Sequence, residues 1–309
     1  MPYNQNFSMQ DKVAIGAIST FILVIAVLRY SGIPDQYAVF YDFFQNSEHY
    51  VNDIFMKNTF FFEGSNFFAI NKFLGLDRSE NVTFALYLTM TALAFYFTYL
   101  IISRHFGLTG PLEVFVVLLF VSIVDRYFPN GGWGGIIPMA PGIPATYAKV
   151  LRLIAIYCLL ENRIWLSSII LTLTISIHIS ADFLLFPILF FFVVFNKNTS
   201  NKNLAALVIP VIFLVFKQLT TSLKIPSGQD PQEYERVMYL AGPDGDFLNH
   251  PTMVIVLFAV SFFVFAAILR RFRNNSSASP NLHPLLMAIY ISSLLTVLTY
   301  TFYIYYGYK

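Results

Sequence analysis

Residues 82–102 read VTFALYLTMTALAFYFTYLII. The stretch holds no charged residue, and about 20 apolar residues at about 1.5 Å each cross the hydrocarbon core of a bilayer as a helix. Eight further apolar stretches lie around it, at roughly 13–29, 111–124, 145–160, 164–179, 181–195, 204–220, 252–269 and 284–306. The pattern predicts an all-α, polytopic membrane helical bundle of about nine transmembrane helices, with 1–309 as a single transmembrane domain. The stretches 111–124, 164–179 and 181–195 are short, reaching only about 20–24 Å. Segment 164–195 reads equally as two spans or as one bent, re-entrant hairpin. Segment 13–29 reads as an anchor, because it ends in Leu28-Arg29-Tyr30 without a small-residue cleavage site.

Composition points the same way. Of 309 residues 57% are hydrophobic and only 12% charged, and mean hydropathy is +0.63. A soluble core cannot hide that much apolar surface. This excludes a soluble enzyme, a nucleic-acid binder and a disordered chain. Net charge is +2 and implies no partner. The one cysteine, Cys158, excludes an intrachain disulfide framework.

The placement of charge carries more than its sum. With the N-terminus inside, Lys12, Arg104, Arg163, Lys197, Lys202, Arg270, Arg271 and Arg273 fall on the inner side. All 17 acidic residues except Asp11, Glu113 and Glu161 fall outside. The expected topology is N-terminus cytoplasmic and C-terminus outside, with any carboxylate chemistry on the outer face.

Three outer loops stand out, 30–81, 125–145 and 221–251. In the first, Tyr37, Phe40, Tyr41 and Phe44 recur at helical spacing, and 51–74 does so more loosely. Interfacial helices are expected there, either as a structural collar or as a rim that admits a lipid-borne substrate to Asp35 and Asp53. Loop 125–145 holds five Gly and four Pro, which precludes a regular helix. Trp133 within it can stack on a sugar face; the loop reads as readily as a tight turn between helices.

Lys149 and Arg152 are three apart, early in span 145–160, and share a helix face. They suit either snorkelling to the interface or a phosphate clamp. His178 and Asp182 are four apart at the outer turn that follows. They suit a capped turn, or a pair that orients a phosphate. Zinc lacks a second His at ligand spacing, while magnesium or manganese on outer carboxylates is chemically allowed.

The order of these parts resembles the GT-C class of membrane glycosyltransferases. The resemblance rests on Gly32-Ile33-Pro34-Asp35-Gln36-Tyr37, Tyr50-Val51-Asn52-Asp53, Asp125, Lys149 to Arg152, and Ile177-His178-Ile179-Ser180-Ala181-Asp182, and covers about 10–195. It implies Asp35 as the catalytic carboxylate, Asp125 as the second acidic position, and Lys149 or Arg152 as a phosphate contact. It also implies a polyprenyl-phosphate-linked sugar as donor and an inverting displacement. The chain departs from the class in having fewer spans and a single Asp125 followed by Arg126. That leaves three other expectations: an accessory subunit of a membrane protein complex, a surface-polysaccharide polymerase or ligase, and a transporter.

Overall fold

The computed structural model describes residues 46–50, 66–74, 80–106, 144–177, 185–196, 200–222 and 279–306, plus single positions at 110, 9–27 and 263–270. All regular structure among them is helical. The helices are α1 (Asn66–Leu74), α2 (Glu80–His105), α3 (Pro144–Leu160), α4 (Ile164–Ile177), α5 (Leu185–Phe195), α6 (Val208–Ser222) and α7 (Leu282–Tyr306). Short 3-10 segments occupy Ser47–Tyr50 and Asn201–Leu207. Among the described residues one helix, Asn81–His105, is long and apolar enough to cross a membrane, and α4 and α5 are shorter apolar helices. Within 164–195 the chain thus forms two separate helices. The first outer loop contributes α1, inside the expected interfacial stretch 51–74.

Helices α3 and α4, and likewise α5 and α7, pack as antiparallel neighbours, whereas α2 runs parallel to α3, with Phe97 against Tyr157 and His105 against Glu161. The closest pairs are α3 with α4 and α5 with α7, and α2 lies along α3. One core joins them: Leu159, Leu160, Ile164, Leu171 and Ile175 meet Leu185, Leu189, Phe192 and Val193, with Leu282, Leu285, Leu286 and Ala288 of α7. Helices α3 and α4 bury small residues, Ala148 and Ala155 on the first and Ser167, Ser168 and Thr174 on the second. Small side chains let two backbones approach closely, and their hydroxyls then bond across the seam. Ser167 Oγ donates to the Ala155 carbonyl at 2.9 Å, and Ser168 Oγ donates to the Ala206 carbonyl, tying α4 to the segment before α6.

The α3–α4 connection is the tightest in the molecule's described part. Asn162 has φ 59, the left-handed conformation that closes a helix. Arg163 N–H donates to the Cys158 carbonyl at 2.7 Å and Asn162 N–H to Leu159 at 2.9 Å. These are the two bonds of a Schellman cap, which satisfy carbonyls left over at the end of α3. Asn is one of the few side chains that enter this region at low cost. Asn162→Gly keeps the turn and gives up one long side-chain bond, so it is expected to cost under ~1 kcal/mol. Asn162→Val adds the left-handed penalty of ~1–2 kcal/mol. Thermal unfolding of both variants in detergent, followed by circular dichroism, tests the difference.

Candidate functional site

Polar side chains gather at two ends of the bundle. The first end is where α1 meets the start of α3. Phe67 of α1 packs edge-on against Tyr147, with ring centroids 4.9 Å apart. α1 also packs on α4. The buried polar side chains on these two helices are Asn71 of α1 and Thr146 and Lys149 of α3. Thr146 and Lys149 are three residues apart, one above the other on the same helix face. Lys149 is 5% exposed. A snorkelling lysine would carry its ammonium to water; this one is enclosed by the protein.

Arg152 is three residues further on and only partly buried. It lies eight residues from both Pro144 and Leu160, about 12 Å from either end. It sits at the middle of α3, a little over two turns from Pro144. Lys149 lies nearer the end, about 7.5 Å from Pro144. The pair is thus staggered along α3: a buried lysine nearer its start and a partly buried arginine one turn further on.

The other residues singled out from the sequence, Asp35, Asp53, Asp125, Trp133, His178 and Asp182, lie outside the described residues. The α4 helix runs to Ile177, immediately before His178. Among the described residues no three His, Cys, Asp or Glu side chains come together as a metal-binding group. Asn71 and Thr146 were not singled out from the sequence. Their signal there is weak: a single amide and a single hydroxyl in apolar stretches, of the kind that serves as well in a loop or a cap.

The second end gathers the last residues of α2, α3 and α5 with the first of α4 and α7. Arg104 donates to Tyr157 Oη at 2.8 Å and lies 3.8 Å from Glu161. His105 Nε2 lies 3.4 Å from the same carboxylate. The His105 carbonyl accepts from Ser279 N–H at 3.1 Å, joining α2 to the segment that leads into α7. Beside this cluster Asn196 Nδ2 reaches Asn162 Oδ1 at 3.4 Å and Asn281 Oδ1 at 3.3 Å. Asn281 Nδ2 donates to the Leu160 carbonyl at 2.8 Å. Each of these contacts joins different chain segments, so this end is a clasp. Its chemistry is that of holding helices together, and the half-exposed Arg104–Glu161 pair adds at most ~1 kcal/mol.

The α1 end differs in kind. It offers a buried lysine and, one turn further along α3, a partly buried arginine, with α1 packed nearby through Phe67 and Tyr147. Fixed cations in a low-dielectric setting stabilise a negatively charged group more strongly than they do in water. Compared with known proteins, the chain matches no family model, no curated protein and no solved structure.

Proposed function

We propose that the chain is a multi-pass membrane protein, with its N-terminus cytoplasmic and its C-terminus outside. In this reading it is a GT-C-like glycosyltransferase that moves a sugar from a polyprenyl-phosphate donor to an acceptor at the outer face. The observation that carries the reading is Lys149: a cation 5% exposed, near the start of α3. A cation held in a low-dielectric interior attracts an anionic group more strongly than one in water, and a lipid phosphate is an anion that reaches the bundle from the side. Arg152, one turn further along α3, supplies a guanidinium to further phosphate oxygens. Asp35 takes the proton of the acceptor hydroxyl, whose oxygen attacks the sugar's anomeric carbon from the face opposite the phosphate. The bond to the lipid phosphate breaks, and the phosphate leaves with the electron pair. General-base assistance of this type contributes about 10²–10⁴-fold. Asp125 is the second carboxylate at that face, Asp53 and Trp133 contact the sugar, and His178 and Asp182 orient the phosphate.

Native mass spectrometry of the gently solubilised full chain tests the binding step. A co-purifying polyprenyl phosphate is expected, and Lys149→Met or Arg152→Ala is expected to lower its occupancy about tenfold or more, the value of one charge-assisted bond. Asp35→Asn is expected to keep the lipid and lose transfer. Recovery of a stoichiometric assembly with other membrane chains and no lipid phosphate overturns the reading in favour of an accessory subunit.

A further inference from the structure

The clasp end has an outward side that its internal bonds do not use. Arg163 is exposed at the head of α4, and its backbone is spent in the α3–α4 turn. The Arg104 side chain is 54% exposed. Its one bonded nitrogen serves Tyr157 and Glu161, and a guanidinium has five N–H donors. Glu161 is 29% exposed and lies against Arg104 and His105, so its charge is partly compensated from within. The first-turn N–H groups of α4 open at the same place, where the helix dipole favours an anion. Below them Trp165, Leu166, Ile169 and Leu173 are all more than 40% exposed. They form one stripe at i, i+1, i+4 and i+8. From Trp165 to Leu173 the stripe is about 12 Å long, the extent of the upper part of a fatty acyl chain.

We propose that this end is a binding site for an anionic phospholipid. Arg163 and Arg104 take the headgroup phosphate, and the α4 stripe takes an acyl chain, with Trp165 at the boundary between the two. Tryptophan and arginine are the side chains that favour this boundary, and an excess of basic residues faces the anionic cytoplasmic leaflet. The proposal rests on the membrane placement above and not on the transferase chemistry.

The test uses the full chain with Trp133→Phe, which leaves Trp165 as the one remaining tryptophan of two. The protein is reconstituted in vesicles that contain either brominated phosphatidylglycerol or brominated phosphatidylcholine at the same mole fraction. The expected result is stronger quenching of Trp165 by the anionic lipid, reflecting about tenfold enrichment. The excess is expected to fall to the zwitterionic level in Arg163→Gln, a change at an exposed side chain that leaves the turn's backbone bonds in place. Equal quenching by both lipids in the parent protein overturns the proposal, as does an anionic excess that survives Arg163→Gln together with Arg104→Gln. Quenching by neither lipid removes Trp165 from the lipid boundary and overturns the membrane placement as well.

Discussion

Phe192→Ala is expected to destabilise the bundle by about 3–5 kcal/mol, the range for deleting a buried aromatic ring. Phe192 is 0% exposed and belongs to the core that α5 shares with α4 and α7. Its neighbours on α5, Leu189 and Val193, are also buried. They are fixed to a helix that packs against α7 along its length, so the cavity cannot close by a simple shift of one side chain. Phe190 supplies the control. It is 41% exposed on the same helix, and its replacement by alanine removes little packing, so a change within ~0.5 kcal/mol is expected. Denaturation of the two variants in mixed micelles of dodecyl maltoside and dodecyl sulfate, read by circular dichroism, gives the comparison. Equal midpoints for Phe190→Ala and Phe192→Ala would place Phe192 outside any core.

Asn196→Leu is expected to cost about 1–2 kcal/mol, because it takes the donor from two partners at once, each hydrogen bond being worth ~0.5–1.5 kcal/mol net. Those partners are Asn162 Oδ1 and Asn281 Oδ1. Asn196 is 4% exposed, whereas Asn162 is exposed and Asn281 only partly buried, so water reaches the stranded oxygens and limits the loss. The bonds are long, 3.3 and 3.4 Å, which places the expected loss toward the lower half of that range. A double-variant cycle sharpens the test. Asn281→Leu removes one of the stranded oxygens, so Asn196→Leu/Asn281→Leu is expected to cost less than the sum of the two single changes. Strict additivity would mean that the two amides do not share a network.

Most helices were legible from hydropathy alone. The expected spans 82–102, 145–160, 164–179 and 284–306 fall on α2, α3, α4 and α7 within a few residues, because uninterrupted apolar runs leave the backbone no partners except its own. Stretches 181–195 and 204–220 likewise fall on α5 and on the helix that ends at Ser222. The count of about nine spans rests on stretches that lie partly outside the described residues. The clasp was not legible. Asn162, Asn196 and Asn281 sit between apolar stretches, where any asparagine reads as loop. Their meeting across 34 and 85 residues of chain depends on how the helices pair. Lys149 and Arg152 were found as a pair, but sequence could not tell them apart. Burial separates them: the first is enclosed, and the second, one turn further along α3, is only partly buried. Of the proposed carboxylates the sequence supplies the only account.

The bond between Asn196 and Asn281 also sets a timetable. Its partners are 85 residues apart, and the ribosome adds about 5–20 residues each second, so α5 waits roughly 4–17 s for α7. During that interval Leu189, Phe192 and Asn196 lack the helix that covers them. A newly made chain is therefore most exposed to wrong partners and to quality-control proteases in the time between these two helices. Slow codons placed between residues 197 and 280 would lengthen that window and lower yield, while the same codons placed after residue 295 would not.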